Sequence, residues 1–256
     1  MTLAHRLDGP EDADVLVLAN SLGTTQELWA RQLPALTERF RVLTYEHPGH
    51  GVSSLPEQPA TVHALAVGLL GLLDELGLDR VSFCGVSLGG MVGMALALHA
   101  PERVERVVLS CTSAHIGPPE AWHDRARVVR TDGMNAIADA VVARWFTPGF
   151  AQHDPETVGR FRAMLVATPP EGYARCCEAL AAWDARERIA AIMAPVLVVA
   201  GSEDPATPLA HAGLIASRIP GGRLRVLERA AHLANVERAE MFTWAVLEHL
   251  GQEVPA

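Results

Sequence analysis

Short apolar runs alternate with stretches of helical spacing along almost the whole chain, and that alternation leaves few folds open. Val15 to Leu18, Arg41 to Tyr45, Val81 to Phe83, Val104 to Leu109, Val196 to Ala200 and Leu224 to Leu227 are short, apolar and rich in β-branched residues. Between them lie helical patterns at Thr25 to Glu38, Thr61 to Leu76, Met91 to His99, Pro208 to Arg218 and Asn235 to Leu250. Strands separated by helices pair in parallel, so helices cover both faces of the sheet and chemistry collects at the carboxyl ends of the strands. The prediction is an α/β fold with a mostly parallel central sheet flanked by helices. A chain of 256 residues is long enough to build one such core.

One stretch breaks the rhythm. From about Ser113 to Ile192 no strand pattern appears, only helical patterns punctuated by Pro118-Pro119, Gly133, Pro148-Gly149 and Pro169-Pro170. We read residues 1–112 and 193–256 as the core and residues 113–192 as a helical cap, or lid, inserted over the strand ends.

The third apolar run leads directly into Gly85-Val86-Ser87-Leu88-Gly89. Strand, Gly-x-Ser-x-Gly and helix are the parts of a nucleophile elbow, a strained turn that exposes a serine at a helix N-terminus. Gly85 and Gly89 are expected because a Cβ at either place would strike the neighbouring helix or strand. The pentapeptide alone arises by chance in about one chain in ten of this size, so its partners decide the matter.

An elbow serine needs a base, and the base needs an orienting carboxylate, in the chain order Ser, acid, His. Asp204 follows the run Val196 to Ala200, in Gly201-Ser202-Glu203-Asp204-Pro205. His232 follows the run Leu224 to Leu227, just before the last helical pattern. Taken singly, Asp204 reads as a turn former and His232 as a cap, and Glu203 is a rival acid. In this order and after these strands, Ser87, Asp204 and His232 read as a catalytic triad. His50 and His115 are placed near the pocket mouth.

A tetrahedral intermediate also needs preorganised donors. The backbone amide of Leu88, next after the serine, is one. The second is expected from the loop Asn20-Ser21-Leu22-Gly23-Thr24-Thr25, by position the amide of Leu22. Thr24 or Thr25 also fits as an N-cap for the helix that follows, and the two roles are compatible.

The net charge of −9 argues against nucleic acid or an anionic membrane as partner. The N-terminus lacks the layout of a signal peptide, and Arg, Asp or Glu interrupts every apolar run well short of a membrane span. Cys84, Cys111, Cys176 and Cys177 have no metal or redox spacing, so free buried thiols in a reducing cytoplasm are expected.

With the triad in place, the chain resembles the α/β-hydrolase family over essentially its whole length. Asn20-Ser21-Leu22-Gly23-Thr24-Thr25 followed by Trp29 is similar to the 3-oxoadipate enol-lactonase branch, where other members carry His-Gly. Arg144 to Pro148 and Gly172 to Cys177 are similar to lid segments of that branch. Glu46-His47-Pro48-Gly49-His50-Gly51 departs from the Asp-x-Arg-Gly-His-Gly of related hydrolases. The resemblance implies hydrolysis of a small anionic enol-lactone in aromatic catabolism, without metal or organic cofactor. A carboxylate on the substrate calls for a cation, and the resemblance points to Arg144, with Trp145 as a pocket wall. A solvated helix face for Arg144 and lid core for Trp145 and Phe146 are the alternatives. A carboxylesterase, a perhydrolase, a carbon–carbon hydrolase and a ligand receptor on the same scaffold stay open, as does a homo-oligomer.

Overall fold

Seven strands pair into one sheet in this computed structural model, which describes residues 2–55 and 61–252. Met1 and residues 253–256, the outer ends of the two core stretches read from the sequence, lie outside the described residues. The strands are β1 (His5–Asp8), β2 (Val15–Ala19), β3 (Arg41–Tyr45), β4 (Val81–Val86), β5 (Val104–Ser110), β6 (Val196–Gly201) and β7 (Arg223–Leu227). Their spatial order is β1-β3-β2-β4-β5-β6-β7. All neighbours run parallel except β1, which pairs antiparallel with β3, Leu7 opposite Leu43. The central strands β4 and β6 are buried along their whole length, whereas β1 and most of β7 are solvated. This matches the predicted fold class. The sequence reading missed β1, because His-Arg-Leu-Asp carries no apolar alternation and its pairing with β3 alone makes it a strand.

The chain leaves β2 toward β3 on one side, and β4 lies on the other. A crevice therefore opens beyond the carboxyl ends of β2 and β4, where strand order reverses and α/β sheets take ligands. The register sets Ala19 beside Gly85, so the loops after these two strands start side by side.

The helices are α1 (Leu33–Thr37), α2 (Val62–Glu75), α3 (Leu88–His99), α4 (Pro119–Asp132), α5 (Asn135–Trp145), α6 (Pro148–His153), α7 (Pro155–Ala167), α8 (Pro170–Ala181), α9 (Leu209–Arg218), α10 (Ala234–Glu237) and α11 (Ala239–His249). Helix α3 is buried on all sides from Leu88 to Ala97 and packs on β4, β5 and α2. Helices α4 to α8 fill the stretch between β5 and β6, with α4 packed on α8 and α5 on α7. Prolines open α4, α6, α7 and α8, positions where the missing N–H costs no helical hydrogen bond. Among the described residues, no helix is long and apolar enough to cross a membrane.

Two expected helices are split. Thr25 to Glu38 is a short 3₁₀ turn, Gln26–Trp29, followed by α1. Trp29 turns inward so that its indole N–H reaches Asn20 Oδ1 at 2.9 Å, and Pro34, with no N–H, sits in the first turn of the restarted helix. Asn235 to Leu250 breaks at Arg238, whose φ of −123° leaves the helical region. Its guanidinium donates to the carbonyl of Glu228 at 2.9 Å.

Candidate active site

Ser87 ends β4 in a backbone conformation few non-glycine residues adopt, φ 57° and ψ −113°. Three hydrogen bonds hold it there: its N–H donates to Ser110 O at 2.8 Å, and its carbonyl accepts Thr112 Oγ1–H at 2.7 Å and Met91 N–H at 3.1 Å. The flanking glycines make the turn sterically possible. A Cβ on Gly85 would lie 2.3 Å from the carbonyl carbon of Gly89, and one on Gly89 would lie 2.2 Å from the carbonyl oxygen of Ala19. Both collisions involve backbone, which cannot yield as a side-chain tip can. Strain of this kind persists where the surroundings over-determine it, commonly at functional sites.

Asp204 lies three residues beyond β6 and His232 five beyond β7, and both are buried. Nδ1–H of His232 donates to Asp204 Oδ2 at 2.9 Å. The same oxygen accepts the Thr207 hydroxyl at 2.6 Å, and Oδ1 accepts the N–H groups of Ala206 and Thr207 at 2.8 and 3.0 Å. Burial opposes the charge on Asp204. His232 beside it, with the Thr207 donors, more than offsets that cost and holds the carboxyl well below the usual carboxylate range. Glu203 is exposed and plays no part in this network. The arrangement fixes the imidazole tautomer, leaving Nε2 as the free acceptor.

Ser87 and His232 line one cavity. Leu22, Arg144 and Trp145 share its wall, so most residues singled out from the sequence converge here. Among the described residues, no hydrogen bond joins Ser87 Oγ to His232. Such bonds commonly tighten only when substrate is bound. Leu88 is the first residue of α3, whose N–H has no partner within the helix, and the next amide, Gly89 N–H, is taken by Asn20 O at 3.0 Å. On the opposite loop, Gly23 N–H and Thr24 N–H are used by His50 and Ser21, and no described residue accepts the amide of Leu22.

The loop bearing Leu22 is braced by the segment that departs from the related hydrolases. His47 Nε2–H donates to Asn20 O at 2.8 Å, and Gly23 N–H donates to His50 Nε2 at 3.2 Å. Asn20 Nδ2 donates to the carbonyl of Tyr45 at 2.8 Å and to Glu46 Oε2 at 3.3 Å. Burial keeps both imidazoles neutral, pushing His47 down to about 4 and His50, with His47 beside it, to about 3. Neither His50 nor His115, expected near the mouth, lines the cavity. His50 sits behind the Leu22 loop, and His115 pairs with Asp184 at 3.8 Å.

The sequence reading missed Arg125, on α4, which faces the same cavity as Arg144. Its guanidinium lies 4.6 Å from the Trp122 ring centroid. Burial, then the charge of Arg125, lowers the pKa of Arg144. Among the described residues, no carboxylate pairs with Arg125 or Arg144. Only the i, i+3 pairing of Trp122 with Arg125 on one helix face could have drawn attention to it. Trp145 is both cavity wall and packed residue, its ring edge-on to Phe161 at 6.3 Å, while Phe146 stacks on Phe150 and belongs to the helical packing.

Comparison with known proteins places this geometry among relatives. The pattern of the alpha/beta hydrolase fold matches residues 14–239. 3-Oxoadipate enol-lactonase 2 of Acinetobacter baylyi is 41% identical over 246 residues, covering 96% of this chain and 92% of that protein. The crystal structure of the enol-lactonase from Burkholderia xenovorans superposes with a TM-score of 0.95 at 44% identity, covering 98% of this chain and 96% of that one. A thermophilic esterase from Thermogutta terrifontis, 30% identical, superposes with a TM-score of 0.92 over 97% of this chain and 93% of its own.

Proposed function

We propose that this chain, which belongs to the α/β-hydrolase family, is a serine hydrolase that opens 3-oxoadipate enol-lactone to 3-oxoadipate. The observation that carries the reading is the cavity itself: Ser87 and a tautomer-fixed His232 share it with two guanidiniums that no carboxylate among the described residues pairs with. A protein of net charge −9 that keeps two half-buried cations without anionic partners among the described residues is built to receive an anion. The resemblance to two enol-lactonases supports a lactone that bears a carboxylate as that anion.

In this reading Ser87 is the nucleophile, His232 the base and Asp204 the orienting acid. His232 Nε2 takes the proton as Oγ attacks the lactone carbonyl. The developing oxyanion is held by the amides of Leu22 and Leu88, and α3 directs the positive end of its dipole at it. The ring C–O bond breaks, and His232 returns its proton to the departing enolate oxygen. The enol tautomerises to a ketone, which makes opening effectively irreversible. Water activated by the same imidazole then releases the acid and restores Ser87. Arg144 and Arg125 bind the remote carboxylate, Trp145 walls the ring, and residues 113–192 act as the lid. The chemistry runs on side chains and backbone amides alone. Four buried, unpaired thiols suit a reducing cytoplasm.

Steady-state kinetics on the enol-lactone beside phenyl acetate test the proposal. The expected result is a much larger kcat/KM for the lactone, and loss of both activities in Ser87→Ala with the fold retained. A kcat/KM no better for the lactone would remove the lactonase reading while leaving a hydrolase. Full activity in Ser87→Ala would remove the elbow from the mechanism.

A further inference from the structure

The loop that carries His232 is tied, on both sides of that residue, to the end of α5 and the turn after it. Leu233 N–H donates to the carbonyl of Trp145 at 2.9 Å, and Ala231 N–H donates to Glu237 Oε1 at 3.1 Å. Glu237 closes α10, and its carboxylate also reaches into the helical insertion. Oε1 accepts Thr147 N–H at 2.9 Å, and Oε2 accepts the Thr147 hydroxyl at 2.8 Å. Thr147 Oγ1 in turn caps α6 by accepting Phe150 N–H at 3.1 Å. One half-buried carboxylate therefore gathers three donors from two chain segments that are otherwise about ninety residues apart. Arg144 and Trp145 are the last two residues of α5, immediately before this knot.

We infer that Glu237 is a positioning residue that locks the anion-binding end of the cavity to the loop carrying the base, so that a bound carboxylate and the imidazole hold a fixed separation. The inference rests on the reading above, in which His232 is the base and Arg144 binds the substrate carboxylate. A carboxylate suits the task because it only accepts: Oε1 takes an N–H from each segment, and Oε2 takes the Thr147 hydroxyl. Without it, the N–H of Ala231 and both donors of Thr147 lose their acceptor, and among the described residues the Leu233–Trp145 bond is left as the direct hydrogen bond between the base loop and residues 145–147. A side chain that merely filled space here would affect stability alone. A positioning residue affects base and anion site together.

The test compares Glu237→Ala with Glu237→Gln. A glutamine keeps one oxygen for the two N–H donors and offers its amide to Thr147 Oγ1, preserving the shape without the charge. Two measurements separate the two ends of the cavity: the rate at which a neutral fluorophosphonate labels Ser87, and the dissociation constant of adipate followed by tryptophan fluorescence. Glu237→Ala is expected to slow labelling and weaken adipate binding, each by about tenfold or more, while Glu237→Gln stays within about threefold of the wild type, given the hundredfold penalty of ångström misplacement. Loss at one end only, or a glutamine variant as impaired as the alanine one, overturns the inference. If Glu237→Ala does not fold, Thr147→Val removes one of the shared bonds and must show both effects at smaller size; an effect on neither overturns it as well. Wild-type protein that neither labels at Ser87 nor binds adipate would remove the underlying hydrolase reading, and this inference with it.

Discussion

Lowering the pH from 7 to 5 tests the two buried histidines that brace the Leu22 loop. In the folded protein His47 Nε2–H is committed to Asn20 O, and its Nδ1 is buried without an acceptor among the described residues. His50 Nε2 receives Gly23 N–H, a bond that a proton on Nε2 would abolish. Burial accordingly pushes their pKa values down to about 4 and about 3. In the unfolded chain both titrate near the ordinary value of about 6.5. The sign follows from proton uptake. Above pH 6.5 neither state is protonated and the pair costs nothing. Below it the unfolded chain binds two protons that the folded chain refuses, so stability falls as pH drops toward 4 and, for His50, toward 3. Each group contributes a slope of about 1.4 kcal/mol per pH unit within that window. Between pH 7 and 5 the pair removes on the order of 4 kcal/mol, out of a total that for most domains is about 5–15 kcal/mol. The assay is urea unfolding at pH 7, 6 and 5, for wild type and His47→Gln/His50→Gln, whose amides keep the donor to Asn20 and the acceptor for Gly23 without titrating. His249, lowered to about 4, adds to the same slope, and Glu46 and Glu237, raised by burial, oppose it. All three are common to both proteins and cancel in the difference. Parallel loss of stability in the two proteins would refute the reasoning.

Asp204→Asn is expected to lower kcat by about ten-thousandfold, because the amide stabilises the wrong imidazole tautomer; a loss under tenfold would contradict the orienting role. Arg144→Ala should mainly raise KM for the anionic lactone and spare phenyl acetate, and Arg125→Ala, at a residue that faces the same cavity, should do the same. Equal losses on both esters would contradict a carboxylate clamp. Gly85→Ala forces a Cβ to 2.3 Å from the backbone of Gly89, so a cost of about 3 kcal/mol or more and a fall in melting temperature of roughly 6–12 °C are expected by calorimetry. An unchanged melting temperature would mean that the elbow is looser than its geometry.

The sheet, the elbow and the order of Ser87, Asp204 and His232 were legible in the sequence because their signals are local. An apolar run of five residues marks a strand wherever it occurs, and Gly85 and Gly89 mark a close approach whose cause, the backbone at Ala19 and Gly89, lies within the elbow or one strand away. The meeting of Ser87, Asp204 and His232 is also nearly local, since each follows the end of its own strand and parallel strands bring those ends to one side. Other features are settled only by packing. His5–Asp8 is a strand because β3 offers an edge, and Thr25 to Glu38 breaks because the Trp29 indole has a partner in Asn20. Arg125 and Arg144 share a cavity because α4 and α5 pack together over the strand ends, and no spacing along the chain announces that meeting. The bracing of Leu22 by His47 and His50, and the grip of Glu237 on both the base loop and the lid, depend on segments far apart in the chain. Periodicity and turn chemistry record what a residue does to its neighbours in sequence. They do not record which distant donor meets which acceptor, and here that meeting decides how Arg125, Arg144 and His232 come to face one cavity.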